Sequence, residues 1–343
     1  METYIYEKLD NKRVKCGICN HFCTIEDGKR GICNVRENRG GILESLVYGK
    51  IIARGIDPIE KKPVFHLKPG SYAYSIATVG CNFRCSFCQN SDISQMPRDN
   101  NGLIRGVDMS PETIVAQALK GSCESIAYTY TEPSVFFEFA FDTAKIAHEK
   151  GLANIFVTNG YMSSEVIKMI APYLDAANVD LKSFKDDFYR KECGAKLAPV
   201  KENLKLMKSL GILVEVTTLL IPGKNDDIKE LEAIAGFIAE EVGVDTPWHI
   251  SGFHPCYKMK NCVSTPITSL EKAYETGKKA GLRYVYTGNA PGLESENTFC
   301  YSCGRLLIKR IGYNIETFFL KDEKHPETGL CPDCGAVMYG KTA

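Results

Sequence analysis

Eleven of the fifteen cysteines in this chain fall into three tight groups. Cys81, Cys85 and Cys88 stand in the stretch CNFRCSFCQN, spaced C-x3-C-x2-C. Cys16, Cys19, Cys23 and Cys33 come before them, and Cys300, Cys303, Cys331 and Cys334 come after. Cys123, Cys193, Cys256 and Cys262 are scattered. Dense cysteines in a short exported chain would read as disulfides. This chain has 343 residues, and its start, METYIYEKLDNKRVK, carries charges throughout and no apolar signal-peptide core. A cytoplasmic protein is the expectation, and clustered thiols in a reducing compartment read as metal ligands.

The middle group poses a question of number. Structural zinc takes four ligands, and a cubane iron–sulfur cluster usually takes four thiolates. Three thiolates on one short loop can hold three irons of a [4Fe–4S] cube and leave the fourth open. An open coordination position marks catalytic metal sites off from structural ones. The bland readings are a zinc that completes its set elsewhere, and cysteines that merely sit in a loop.

The flanking groups each offer four thiolates. Cys300-x2-Cys303 and Cys331-x2-Cys334 are paired knuckles, each followed by glycine, with 27 residues between them. That spacing is of the zinc-ribbon or rubredoxin kind, and zinc is expected over a single iron. The tail, with its FFLKDEKHPE stretch, lacks the basic pattern of a nucleic-acid binder, so a structural clip or protein-docking module is expected. Cys16, Cys19, Cys23 and Cys33 fit a closed zinc site or an auxiliary iron–sulfur cluster, with His21 as a competing ligand. Structural zinc is the expectation there.

The elements that position these groups follow from periodicity. Strand-like runs appear at 73–79, 125–130, 154–158, 177–182, 213–220 and 248–253, with a seventh short run at 284–287. Amphipathic stretches at 110–120, 133–151, 163–174, 200–211, 226–243 and 269–281 alternate with them. Such β–α alternation argues for parallel strands with helical crossovers, in a barrel, an incomplete barrel or a doubly wound sheet. Residues 1–70 and 291–343 lack the alternation, which divides the chain into a cysteine-rich segment at 1–70, a barrel at 71–290 and a ribbon-like module at 291–343. Lys plus Arg equals Asp plus Glu at 42 each, so no bulk charge favours nucleic acid or an anionic membrane. Hydrophobic content of 44% provides for a substantial core, and no apolar run approaches the ~18 residues of a membrane span.

CNFRCSFCQN directly after the first strand of such a series resembles the signature of radical S-adenosylmethionine (SAM) enzymes. The resemblance implies a partial (β/α)6 barrel of TIM-like kind, with small cysteine-rich metal modules at either end. It implies a [4Fe–4S] cluster on Cys81, Cys85 and Cys88 whose open iron chelates SAM, reductive cleavage of SAM, and hydrogen abstraction by a 5′-deoxyadenosyl radical. YTYTEP (128–133) takes the place of the family's GGEP segment, with Tyr130 and Thr131 in place of the glycines and Glu132 and Pro133 retained. Thr131 and Glu132 thereby become candidates at the SAM amine. VTNG, with Asn159, and VDLKSF, with Asp180 and Lys182, resemble segments of the pyruvate formate-lyase activating enzyme group, where the Asp and Lys approach the SAM carboxylate. His254 in SGFHP matches a histidine near SAM, and Phe87 matches an aromatic residue at the adenine. Over nearly its full length, including the VREN and DPIEKKPVFHLKPGS stretches, the chain is similar to the radical SAM member of the AmmeMemoRadiSam group.

That resemblance implies a one-electron donor such as flavodoxin or ferredoxin, and Memo-like or AMMECR1-like proteins as partners. Three functions follow for comparison. The first is an enzyme acting on a small molecule or a protein, with the barrel mouth closed by both metal modules. The second is a glycyl radical activating enzyme, with a mouth open to a partner's loop. The third is a non-enzymatic iron–sulfur electron-transfer protein.

Overall fold

The computed structural model describes residues 1–289, 293–320 and 329–341. Eight strands form its central sheet: β1 (Ala53–Pro58), β2 (Tyr72–Ala77), β3 (Ser125–Tyr128), β4 (Ala153–Thr158), β5 (Ala176–Asp180), β6 (Leu213–Leu220), β7 (Trp248–Gly252) and β8 (Val285–Gly288). They lie in sequence order across the sheet. β2 to β8 are parallel, and β1 pairs antiparallel with β2, from Ala53↔Ala77 to Pro58↔Tyr72. Strands covered on both faces read as unbroken apolar runs, and all four residues of β3 are buried. Seven parallel strands, one more than a six-unit barrel, carry the fold, because the short run near 284 pairs with β7. β1 arises within the segment expected to lie apart from the barrel.

Six helices make the crossovers: α1 (Pro111–Lys120), α2 (Phe137–Glu149), α3 (Ser164–Ile170), α4 (Leu197–Ser209), α5 (Ile228–Phe237) and α6 (Ile267–Lys279). Their starts follow from local chemistry. Ser110, Ser163 and Asp227 each accept a hydrogen bond from a backbone N–H three residues on, at 3.3, 3.3 and 3.1 Å, satisfying a donor the first turn leaves free. Among the described residues, no helix is long and apolar enough to cross a membrane.

The N-terminal segment packs into the same core as the barrel. Val14, Ile18, Val35 and Leu43 are buried with Val79 and Phe83. Its position is set at the loop after β4, where Asn20 N–H donates to Tyr161 O and Ser163 N–H to Ile18 O, each at 3.0 Å. A buried ion pair locks it to α2: Arg36 Nη1 lies 2.7 Å from Glu138 Oε1, and both side chains are almost inaccessible. Thr3 Oγ1 accepts from the same guanidinium at 2.7 Å.

The C-terminal module is an antiparallel ribbon of Thr298–Phe299, Leu306–Ile311 and Asn314–Phe318. Its Leu307, Ile308 and Met338 pack on Phe65, Tyr284 and Tyr286. Tyr284 stands just before β8 and Tyr286 near its start, so the ribbon covers the amino-terminal end of the barrel. The expected module boundary between residues 290 and 291, and part of the FFLKDEKHPE stretch, lie outside the described residues.

Candidate active site at the carboxyl ends of the strands

Parallel strands deliver every following loop to one end of the sheet, which is where α/β barrels place their chemistry. The loop after β2 carries Cys81, Cys85 and Cys88. All three thiols are free; Cys85 is buried and the other two half-buried. The loop is braced from two distant segments. Arg84 and Ser86 N–H donate to Cys193 O and Glu192 O, each at 2.9 Å. Lys258 N–H donates to Ser86 O at 3.0 Å, and Cys256 Sγ to Phe87 O at 3.3 Å. Phe83 N–H points at Cys81 Sγ, 3.3 Å away.

Burial pushes the Cys81 thiol up, and the nearby Glu132, Cys85 and Cys88 add to it. Cys88 is also raised by burial, against a contact of 3.1 Å with Ser94 Oγ. At Cys85 the Cys193 thiol and the charge of Lys182 outweigh burial and hold the thiol below its usual range. Two of the three sulfurs thus sit where negative charge is costly, which suits cations bound among them.

The loop after β3 has an unusual backbone. Tyr130, at the place of a family glycine, has φ +62°, a left-handed conformation that costs energy for a residue with a side chain. Its ring is held from β1 and the turn after it. Lys62 Nζ lies 4.6 Å from the ring centroid, and Tyr130 Oη donates to Asp57, which also pairs with Lys62 at 2.6 Å. The glycine-like backbone therefore survives the change of residue. Thr131 Oγ1 donates to Thr78 O at 3.0 Å, tying this loop to the end of β2.

Glu132 is fully buried, and its oxygens accept from Thr158 Oγ1 at 2.9 Å, Asn159 N–H at 2.8 Å and Ser134 N–H at 3.1 Å. Asn159 Nδ2 donates to Asn82 Oδ1 at 2.7 Å and lies 3.8 Å from Cys81 Sγ. Glu132, Asn159 and Cys81, expected together, do meet. Asn82, which joins them, was not among the expected residues, although it sits beside Cys81 in the quoted stretch.

Asp180 ends β5, and its carboxylate lies 2.7 Å from Lys182 Nζ. Burial opposes the Lys182 charge, but Asp180 and the sulfurs of Cys85 and Cys193 outweigh it and keep the ammonium protonated. Lys182 Nζ also stands 5.8 Å from the centroid of Phe87, whose ring packs on Phe188. Asp180, Lys182, Phe87 and Cys85 thus form one cluster. His254 follows the end of β7 and is exposed. Cys193 and Glu192 lie more than a hundred residues from the loop they brace, so no local signal announces them.

A family-wide comparison matches residues 75–238 to the Radical SAM superfamily. An uncharacterized protein of Methanocaldococcus jannaschii is 48% identical over 334 residues, covering 97% of each chain. The chain belongs to the radical SAM superfamily. The pyruvate formate-lyase-activating enzyme of Clostridium pasteurianum is 23% identical over 52% of this chain and 76% of its own length. Streptococcus suis SuiB bound to S-adenosylmethionine is similar in fold, with a TM-score of 0.51 at 11% identity over 67% of this chain and 53% of that one.

Membership of a radical SAM family makes the chain an enzyme and implies a [4Fe–4S] cluster and SAM. The donor set fits: three free thiols on one loop, with a protonated lysine beside them to meet a carboxylate. Lys182 and Asp180 present opposite charges, as the carboxylate and amine of an amino acid require.

The two flanking groups differ in geometry. Among the described residues, only Cys300, Cys303, Cys331 and Cys334 bring three or more ligand atoms within 4.8 Å of one another. Cys300–Cys334 and Cys303–Cys331 are each 3.6 Å apart between sulfurs. Both knuckles share one hydrogen-bond pattern, Gly304 N–H to Cys300 O at 2.9 Å and Gly335 N–H to Cys331 O at 2.8 Å, with φ of +77° and +70° at the glycines. Cys16, Cys19, Cys23 and Cys33 line one cavity together with Asn82 and Ser134, at the carboxyl end of the sheet.

Proposed function

We propose that the chain cleaves SAM reductively and uses the resulting radical to take a hydrogen atom from a protein or small-molecule substrate presented at the carboxyl ends of β2 to β7. When bound, the cluster supplies the electron that breaks SAM's sulfonium bond, yielding methionine and the 5′-deoxyadenosyl radical. Cys81, Cys85 and Cys88 hold the cluster, and one iron position is left for SAM. Lys182 binds the SAM carboxylate by a charge-assisted hydrogen bond, and Asp180 positions the ammonium. Phe87 backs the adenine. Thr131 and Asn159 line the methionine end, while Glu132 positions both loops through its buried hydrogen bonds. His254, at the open rim, is the residue here that can reach SAM from the β7 side.

The observation that carries this reading is the meeting of Lys182, Asp180 and Phe87 beside Cys85. The N-terminal segment stands at the same end as this site, and the ribbon covers the other end. A mouth closed by both modules, as one reading of the sequence has it, does not match that placement. The extended similarity of the VREN and DPIEKK stretches supports the AmmeMemoRadiSam group, with Memo-like or AMMECR1-like partners and a flavodoxin or ferredoxin donor. The test is anaerobic reconstitution followed by assay of 5′-deoxyadenosine. Cys81→Ala, Cys85→Ala and Cys88→Ala should each abolish its formation; unchanged formation in all three sinks the proposal.

A further inference from the structure

A tyrosine with left-handed backbone needs something to hold it there. Tyr130 has φ +62°, and Thr131 N–H donates to Thr129 O at 2.7 Å across it. A bond that spans one residue of positive φ makes a γ-turn of the rare, strained kind. Strain of that sort favours other conformers by roughly 5- to 150-fold unless the surroundings oppose it. The turn lies next to the cysteine loop. Thr131 Oγ1 donates to Thr78 O at 3.0 Å, Glu132 accepts from Asn159 N–H at 2.8 Å, and Asn159 Nδ2 stands 3.8 Å from Cys81 Sγ.

What opposes the strain comes from the DPIEKK stretch. Tyr130 Oη donates to Asp57 Oδ2, and Lys62 Nζ stands 4.6 Å from the ring centroid and 3.4 Å from Oη. Asp57 also accepts from Lys62 at 2.6 Å and from Lys61 at 2.8 Å. It lies opposite Ala73 of β2, and paired residues of neighbouring strands share a face. On that face Ala73, Ala127, Ile155 and Ala176 pack with Ile59 and Val64, which follow β1, and not with the helices. Asp57 and Lys62, both buried, therefore face the interior of the barrel.

We infer that Asp57 and Lys62 are positioning residues for SAM: acting through the Tyr130 side chain, they hold the turn that sets Thr131, Glu132 and Asn159 beside the cysteine loop. The inference rests on the reading of this end of the barrel as the SAM site, and it gives the DPIEKK stretch a role there. A glycine at position 130 would adopt the same φ without help. The anchor therefore matters only while a side chain stands at 130. An ion pair that merely filled the barrel interior would be needed whatever residue stood there, so the two roles predict different behaviour.

The test is equilibrium dialysis of SAM against the anaerobically reconstituted full chain, with iron content measured on every variant. Tyr130→Ala keeps a Cβ but loses the anchor. Its affinity should fall roughly 5- to 150-fold, because binding is weakened by the fraction of chains outside the competent conformer. Tyr130→Gly loses the same anchor and should bind within about threefold of wild type. Asp57→Leu with Lys62→Met leaves neither charge of the pair stranded, and it should weaken SAM binding as Tyr130→Ala does. Adding Tyr130→Gly to that pair should restore the affinity. Alanine and glycine variants that bind alike overturn the inference, as does a triple variant as weak as the double one. If the double variant does not fold, Tyr130→Phe decides, since it removes only the hydroxyl bonded to Asp57: weaker binding supports the inference, and wild-type affinity overturns it. A wild-type chain that holds its cluster yet binds no SAM defeats the reading of the site and this inference with it, whereas SAM binding indifferent to residue 130 defeats the inference alone.

Discussion

Acid should loosen the ribbon from the barrel through one histidine. His66 is buried, with Nδ1 2.6 Å from Tyr339 O and Nε2 2.8 Å from Tyr286 Oη. The carbonyl needs a donor, so Nδ1 carries the proton and Nε2 accepts from the tyrosine hydroxyl. Burial pushes its pKa down to about 4, with Glu215 and the Tyr339 carbonyl opposing and Arg310 and His249 assisting. The unfolded chain has the ordinary value of about 6.5. Between these values the unfolded state binds more protons, so the stability present above pH 6.5 is lost as pH falls toward 4. The loss is about 1.4 kcal/mol for each pH unit, or about 2 kcal/mol at pH 5. Glu215 is pushed up by burial, but His249 and His66 hold it below the usual carboxylate range, so it stays charged through this window.

Urea unfolding at pH 7.5 and pH 5.0 measures the effect, followed by fluorescence of Trp248, the single tryptophan. His66→Gln keeps a hydrogen-bonding side chain that does not titrate. Acid also weakens thiolate–metal bonds, so the quantity read is the difference between the two proteins' pH dependences. Wild type should lose about 2 kcal/mol more than His66→Gln between the two pH values. Equal losses would refute the neutral, buried histidine as the cause.

Lys182→Ala should weaken SAM binding roughly 10- to 100-fold, the worth of a hydrogen bond to a charged group, measured by equilibrium dialysis on the reconstituted enzyme. An affinity within a factor of two of wild type would remove Lys182 from the SAM carboxylate. Glu138→Leu strands the buried Arg36 charge and should cost about 3–5 kcal/mol in the same urea assay. Adding Arg36→Met should recover most of that loss, because an apolar pair replaces the ion pair; a double variant as unstable as the single one would contradict this.

Much of the site was legible because its chemistry is local. Cys81, Cys85 and Cys88 share one loop, and loop spacing is a covalent fact. Asp180 and Lys182 lie two residues apart at a strand end, and strand ends are readable from apolar periodicity. The paired knuckles repeat the same short turn, so their ligands were countable from spacing. The predicted strand at 213–220 matches β6 residue for residue, since a long apolar run between turn signals has few alternatives.

What remained belongs to contacts across the chain. β1 has no signal of its own as a barrel strand, because antiparallel pairing to β2 draws on backbone hydrogen bonds that any sequence can make. Tyr130 in a left-handed conformation is unreadable locally; Asp57 and Lys62 sustain it from β1 and the turn that follows. Glu192 and Cys193 reach the cysteine loop only because the strands bring both loops to one end. Ligand spacing likewise offers Cys16, Cys19, Cys23 and Cys33 as candidate metal ligands, but only the folded chain brings them to the wall of one cavity. Residue types along the chain determine which chemistry is on offer. Distance, which selects among ions and clusters, is a property of packing alone.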